Sequence, residues 1–256
     1  MANCARVAGH CKRCDTELPF AFTMAFQPIV DVQEKRIVTH EALVRGPRGE
    51  SALSILSRVD DRLLYRFDQA CRVRAIELAS DLGMSVNLSI NFLPNAVYEP
   101  TACIRNTLDT ANRLNWHVDR LNFEITETER IRDRGHLRHI VEAYREMGFH
   151  TSLDDFGSGH ANLDLLVELT PDTLKLDLQL IRGIHRDSRR QALVRNTIAL
   201  AGELGIGLIA EGIEVVEEAR WLRDHGVTRQ QGYFFARPAL NALAECPAER
   251  FTLLAG

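Results

Sequence analysis

The chain has 256 residues, 31 Lys+Arg against 35 Asp+Glu, and a formal net charge of -4. Its 45% hydrophobic and 26% charged residues are globular values, which exclude a disordered or fibrous chain. The mild acidity argues against a nucleic-acid polymer as partner, but it leaves room for an anionic ligand held by a few local cations.

Residues 1–20 are polar and carry Cys4, His10, Cys11 and Cys14. They read as a tail or small appendage to one domain spanning 21–256. The four side chains could hold one structural Zn²⁺, act as a redox handle, contribute half of an intermolecular site, or lie on a disordered tail. Cys71, Cys103 and Cys246 are scattered through helical segments or the tail, where a free buried thiol is the ordinary reading. The start lacks the apolar core of a signal peptide, and no uncharged run approaches the ~18 residues of a membrane helix. The expectation is a cytoplasmic protein with no membrane span.

From residue 22 onward, strand and helix patterns alternate. Strand candidates fall at Met24–Val30, Ile37–Val44, Ser85–Ile90, Leu121–Thr126, His150–Leu153, Thr173–Leu176, Gly207–Ala210 and Gln231–Phe235. Segments with apolar residues at 3.6-residue spacing separate most of them: Arg62–Leu82, Thr101–Leu114, His136–Met147, Ser188–Leu204 and Val215–Asp224. This is an α/β pattern with a largely parallel sheet. Eight strands in this length favour a closed TIM (β/α)8 barrel, and no Gly-rich nucleotide fingerprint opens any helix.

Polar residues recur at the strand ends: Glu41, Asn87, Glu124 with Glu127, Asp154 with Asp155, Lys175 with Asp177, Glu211 with Glu214, and Gln230 with Gln231. In a parallel barrel the C-terminal strand ends converge on one mouth, where active sites are built. Any one of these residues has a plain structural reading. A lone strand-end Glu is usually a solvated rim residue, Asn87 could cap a turn, and Lys175 could be a snorkelling edge-strand lysine. Together they put at least five carboxylates and an amide in one volume, which requires compensating positive charge. An all-oxygen ligand set suits Mg²⁺ or Mn²⁺, and Ca²⁺ could occupy it too. Two such cations form the standard device for cleaving a phosphodiester. Of the 31 basic residues 28 are Arg, so Lys175, inside an apolar strand, is a position that calls for an ammonium in particular.

Eight motifs in order complete the pattern: Phe26-Gln27-Pro28-Ile29, Glu41-Ala42-Leu43-Val44-Arg45, Asn87-Leu88-Ser89, Glu124-Ile125-Thr126-Glu127, Asp154-Asp155-Phe156-Gly157-Ser158-Gly159, Lys175-Leu176-Asp177, Ala210-Glu211-Gly212-Ile213-Glu214 and Gln231-Gly232-Tyr233-Phe234-Phe235. Over most of its length the chain resembles the EAL-domain cyclic di-GMP phosphodiesterases. The runs Glu41–Gly49 and Ser89–Tyr98 are most similar to the EAL half of BLUF-coupled, blue-light-regulated members, although the residues before 22 are too few for a light sensor. The resemblance implies a modified barrel with one antiparallel strand. It implies that Glu41, Asn87, Glu124 and Asp154 hold a first metal, with Asp154 bridging to a second that Asp155 also binds, Glu211 beside it. Lys175 and Gln231 would orient the attacking water, and Gln27, Leu43 and Arg45 would contact substrate. Glu127 and Glu214 would anchor the loop Asp155–Asn162. A homodimer would form through about Ala161–Leu169 and Arg189–Leu204.

The implied reaction is hydrolysis of cyclic di-GMP to linear pGpG by a water activated between two Mg²⁺ or Mn²⁺ ions. A non-catalytic cyclic di-GMP receptor and a hydrolase of another phosphodiester are the alternatives. The chain departs from the family pattern at Gly46, where many members have Trp, and at His160 and Asp164 in and beside the loop.

Overall fold

The computed structural model describes residues 6–7, 10–11, 18–126, 133–158 and 163–254. Arg6–Val7 and His10–Cys11 pair antiparallel. The proposed Cys4, His10, Cys11, Cys14 cluster otherwise lies outside the described residues, as do Glu127 and His160.

The first barrel strand, β1 (Thr23–Asp31), turns back into β2 (Arg36–Arg45) through a local device. The Asp31 carboxylate accepts from the backbone N–H groups of Gln33 and Glu34 at 2.9 and 3.0 Å, and Lys35 takes a left-handed φ of 55°. Such an Asx turn makes a hairpin, so β1 runs antiparallel to β2. Every later connection in the barrel is a crossover. The strands β3 (Asn87–Phe92), β4 (Leu121–Thr126), β5 (His150–Phe156), β6 (Thr173–Leu176), β7 (Gly207–Ala210) and β8 (Arg229–Gln230) follow β2 in parallel order. The two-residue β8 closes the barrel by pairing antiparallel with β1, Gln230 opposite Val30. A ninth strand, β9 (Ala239–Leu240), lies antiparallel along β1. The eight-stranded barrel with one antiparallel strand is therefore present.

Several expected strand boundaries differ; the fifth strand, for one, runs on from Leu153 to Phe156. The last strand covers Arg229–Gln230, and residues 231–235 turn away from the sheet. Apolarity of Tyr233, Phe234 and Phe235 suggested a strand, but Phe234 N–H donates to Ile213 O and Phe235 N–H to Gly232 O, so those backbone groups serve a turn. The third strand starts later and ends two residues beyond the expected Ile90.

Helices cover the barrel: α1 (Ala52–Leu56), α2 (Leu64–Asp81), α3 (Arg105–Arg113), α4 (Arg134–Glu146), α5 (Leu163–Leu169), α6 (Ser188–Leu204), α7 (Val216–Asp224) and α8 (Ala248–Leu254). The expected single helix over Thr101–Leu114 is a short turn, Pro100–Cys103, followed after Ile104 by α3. The ends of α6 show why it forms there. Asp187 caps the first turn by accepting from Arg189 and Arg190 N–H, and Gly205 stops the helix with φ 70°. Between strands and helices the core is aromatic: Phe92, Phe123, Tyr144 and Phe149 pack with ring centroids 5.1–5.9 Å apart. A fully buried ion pair crosses this layer, with Arg72 bonded to Asp68 and donating to Tyr144 Oη at 3.1 Å.

At the mouth, the loop after β7 passes hard against the segment after β6. A Cβ on Gly212, whose φ is 66°, would lie 2.2 Å from Leu178 Cβ. Gly212→Ala combines a left-handed penalty of about 1–2 kcal/mol with overpacking of similar size. The expected outcome is a thermal midpoint lower by on the order of 5 °C or more. An unchanged melt would show that the two loops are free to separate.

Candidate active site at the barrel mouth

The Lys175 side chain is completely buried, which ends the edge-strand reading. Its ammonium lies 2.7 Å from Glu124 Oε2, 2.7 Å from Glu211 Oε1, 3.1 Å from Asp154 Oδ1 and 3.6 Å from Glu41 Oε2. Four strands, β2, β4, β5 and β6, and the residue after β7 supply these groups. Burial alone would pull the Lys175 pKa down; Asp154, Glu124, Glu211 and Glu41 outweigh it and raise it, so the ammonium stays charged. Burial raises the Glu124 and Glu211 pKa values and neighbouring carboxylates add to that, against the opposing pull of Lys175. Glu41 behaves differently. Burial works to raise its pKa, but Lys175, Gln231 and Asn91 together lower it.

The amide beside these acids is Asn91, not Asn87. Asn91 Nδ2 donates to Glu41 Oε1 at 2.9 Å, and Gln231 Nε2 donates to Glu41 Oε2 at 2.8 Å. Asn87 is exposed at the start of β3, opposite Thr39. Four residues of strand carry it about 13 Å from Asn91, toward the other end of the barrel. Between them, Ser89 points the same way and accepts from Asn122 Nδ2 at 2.7 Å, while Ser152 Oγ donates to Asn122 Oδ1 at 2.9 Å. This satisfied polar layer sits one step below the acids, where such barrels usually carry bulky branched side chains.

Adjacent strand residues normally face opposite sides, so Asp154 and Asp155 should not both reach the mouth. A bulge in the β5–β6 ladder resolves this. Leu153 pairs with Leu174 and Phe156 with Leu176, so Asp154 and Asp155 together oppose Lys175. Asp155 takes φ 60°, a conformation Asp tolerates better than most residues, and its N–H donates to Asp154 Oδ1 at 2.9 Å. Burial first, then Asp154 and Asp177, pushes the Asp155 pKa up to about 6.

A cavity of about 330 Å³ opens over these groups, lined among others by Gln27, Asp177, Glu214 and Tyr233. Gln27 is fixed by donating to Ala236 O at 3.1 Å. Glu214 reaches the rim and pairs with Arg182 at 3.0 Å. Leu43 lines a second, apolar cavity of about 370 Å³ that also touches Asn91. Arg45 ends β2 at the rim, its guanidinium donating to Val44 O at 2.7 Å. At Gly46 the turn is tight, and a Cβ would lie 2.7 Å from Glu50 Cβ.

The donor set fits divalent cations. One carboxylate oxygen each from Glu41, Glu124 and Asp154 lie within 4.8 Å of one another, and so do those of Asp154, Asp155 and Glu211. Asp154 belongs to both groups. The second oxygen of Glu124 is buried with no hydrogen-bond partner among the described residues, as expected of a ligand atom. The hard oxygen donors match Mg²⁺, Mn²⁺ or Ca²⁺ better than Zn²⁺.

The mouth of the barrel is thus lined by carboxylates whose donor set suits divalent cations, and comparison with known proteins places the chain in a family. Residues 20–238 match the EAL domain family. The chain belongs to the EAL domain family. It is similar to two Escherichia coli proteins, the blue light- and temperature-regulated antirepressor BluF (29% identity over 86% of this chain and 55% of that protein) and the probable cyclic di-GMP phosphodiesterase PdeN (29% over 85% and 43%). The chain thus spans about half the length of these curated relatives or less. A standalone EAL protein from Vibrio cholerae, solved with c-di-GMP bound, superposes with TM-score 0.89 at 48% identity over 91% of this chain and 99% of that one. Klebsiella pneumoniae BlrP1, solved as a calcium/cyclic di-GMP complex, superposes with TM-score 0.83 at 34% identity over 88% of this chain and 57% of that one, and its manganese complexes superpose similarly. No helix among the described residues is long and apolar enough to cross a membrane.

Two outcomes follow from the site. Asn91→Ala should weaken Mn²⁺ binding about tenfold or more, and Asn87→Ala should leave it unchanged; calorimetric titration of both decides, and the reverse ranking would restore Asn87. Mn²⁺ affinity should also fall as pH drops through about 6, because protons then compete for Asp155. An isotherm unchanged between pH 5.5 and 7.5 would remove Asp155 from the ligand set.

Proposed function

We propose that the chain is a cytoplasmic enzyme that hydrolyses the bacterial second messenger cyclic di-GMP to linear pGpG with Mg²⁺ or Mn²⁺. The observation that carries this reading is the pair of carboxylate groups sharing Asp154 around one buried ammonium. The named ligands and metals of the V. cholerae and K. pneumoniae proteins support it, as does the name of PdeN.

In this reading Glu41, Asn91, Glu124 and Asp154 hold one cation, and Asp154 and Asp155 the other, with Glu211 beside it. When bound, the cations neutralise phosphate charge and acidify water. The chain's own groups do the rest. Arg45 and Gln27 bind the dinucleotide at the rim, and Leu43 gives it an apolar contact. Lys175, whose three N–H groups now lie against Glu124, Glu211 and Asp154, would turn one of them to the reacting water once cations hold those carboxylates. Gln231 keeps its amide fixed on Glu41 while its Oε1, buried and without a partner among the described residues, would accept from that water. Glu127 and Glu214 anchor the loop that follows Asp155.

Homodimerisation belongs to the same proposal. Leu163 and Val167 on α5 and Leu193 on α6 are more than half exposed, as a covered face would require. The name of BluF favours keeping a second reading, a receptor that binds cyclic di-GMP without turnover.

Incubation of the full chain with cyclic di-GMP, resolved by chromatography, tests the proposal. Mg²⁺ and Mn²⁺ should each support conversion to pGpG, and Ca²⁺ should bind substrate with little turnover. Binding without product in Mn²⁺ would establish the receptor reading instead. Asp155→Asn should lose turnover and keep substrate binding. Lys175→Arg should stay folded and lose kcat by on the order of 100-fold, because a planar guanidinium cannot occupy the point held by the ammonium. A folded Lys175→Arg protein within about threefold of wild type would reduce the lysine to a structural counter-charge.

A further inference from the structure

Glu218 is a buried carboxylate outside the metal site, 3% exposed, in the first turn of α7. Its Oε1 accepts from Gly183 N–H at 2.7 Å, and its Oε2 accepts from Glu214 N–H at 3.1 Å and Val215 N–H at 3.3 Å. Those three donors belong to two segments. Gly183 follows β6, the strand of Lys175; Glu214 and Val215 close the loop after β7 that begins with Glu211. One side chain therefore ties together the segments that follow β6 and β7, close to where Lys175 of β6 meets Glu211 at 2.7 Å.

We propose that Glu218 is a positioning residue that sets the place of Glu211 against Lys175 and the second-cation group; the inference rests on the phosphodiesterase reading above. The geometry leaves the loop few other anchors. Glu211 N–H donates to Leu176 O at 3.0 Å and Ile213 N–H to Gln231 O at 3.1 Å, which fixes its base. Beyond Ile213, the backbone donors of residues 214 and 215 come after the sheet ends and before α7 begins, and Glu218 alone is their acceptor among the described residues. A carboxylate suits the task because two oxygens can take three N–H groups, and a charged acceptor makes each bond stronger than a neutral one. An amide offers one oxygen and turns its NH₂ toward a donor. The Arg182–Glu214 pair runs alongside but is more than half exposed at both ends and adds little.

Glu217 is the control. It sits exposed in the same helical turn, so Glu217→Ala removes a helix N-terminal charge without touching either loop. The experiment compares the full chain carrying Glu218→Ala, Glu218→Gln or Glu217→Ala. It reads hydrogen–deuterium exchange over residues 178–187 and 207–216, Mn²⁺ binding, thermal midpoint, and kcat and KM for cyclic di-GMP. Glu218→Ala is expected to exchange faster in both segments, to bind Mn²⁺ more weakly, and to lose kcat by about tenfold or more with KM within about threefold. Glu218→Gln should fall between it and wild type, and Glu217→Ala should match wild type. A folded Glu218→Ala protein with wild-type exchange over 207–216, or with wild-type kcat and Mn²⁺ affinity, would overturn the inference. If Glu218→Ala does not fold, Glu218→Gln decides by the same criteria. A wild-type chain that binds Mn²⁺ and turns over nothing contradicts the phosphodiesterase reading alone; exchange and Mn²⁺ binding then still decide on Glu218.

Discussion

The Lys175 ammonium lets four carboxylates share one buried volume, and the rest of the mouth is arranged around it. One positive charge cannot balance Glu41, Glu124, Asp154 and Glu211 if all are ionised; three negative charges would remain in a largely buried space. Without further cations the balance comes from protons, which is why burial and mutual repulsion raise Glu124 and Glu211 while Glu41, held by Lys175 and two amides, is lowered. Divalent cations would replace those protons. The site is therefore strained electrostatically toward binding positive charge, and its selectivity for hard ions comes from its oxygen donors.

Holding that arrangement is a backbone problem. The acids come from different strands, so their separation is set by barrel geometry and not by local chain flexibility. The Ser89–Asn122–Ser152 layer beneath them is small and fully hydrogen-bonded, and it keeps the interior narrow without placing apolar bulk under the charges. The β5 bulge brings two consecutive carboxylates to one side. At the rim, Gly212 and Gly232 let loops approach where a Cβ would meet Leu178 or the Ile213 backbone at 2.2 Å.

Most of the barrel was legible because its strands and helices obey simple periods. The strand-end acids were legible because a parallel barrel gathers C-terminal ends. Asn87 was misplaced against that same rule. The β3 run continues through Phe92, so its C-terminal polar residue is Asn91, and the motif-like Asn-Leu-Ser lies four residues, two pleat repeats, too early. The Gln231–Phe235 segment looked like a strand because apolar runs of that length do not distinguish sheet from buried turn. The bulge at Asp154–Asp155 had a weak signal in the adjacent pair itself. Glu218 had none, since a Glu in the first turn of a helix is an ordinary dipole partner until the structure shows which backbone groups it accepts from.

The central claim is that this acid cluster holds cations in two groups joined by Asp154. The most direct measurement is anomalous diffraction at the manganese edge from crystals of the chain grown with Mn²⁺ and cyclic di-GMP. The account predicts two anomalous peaks, one contacted by Glu41, Asn91, Glu124 and Asp154, the other by Asp154 and Asp155. A map with no peak at the mouth, and the Lys175 ammonium still in contact with all four carboxylates, would contradict it.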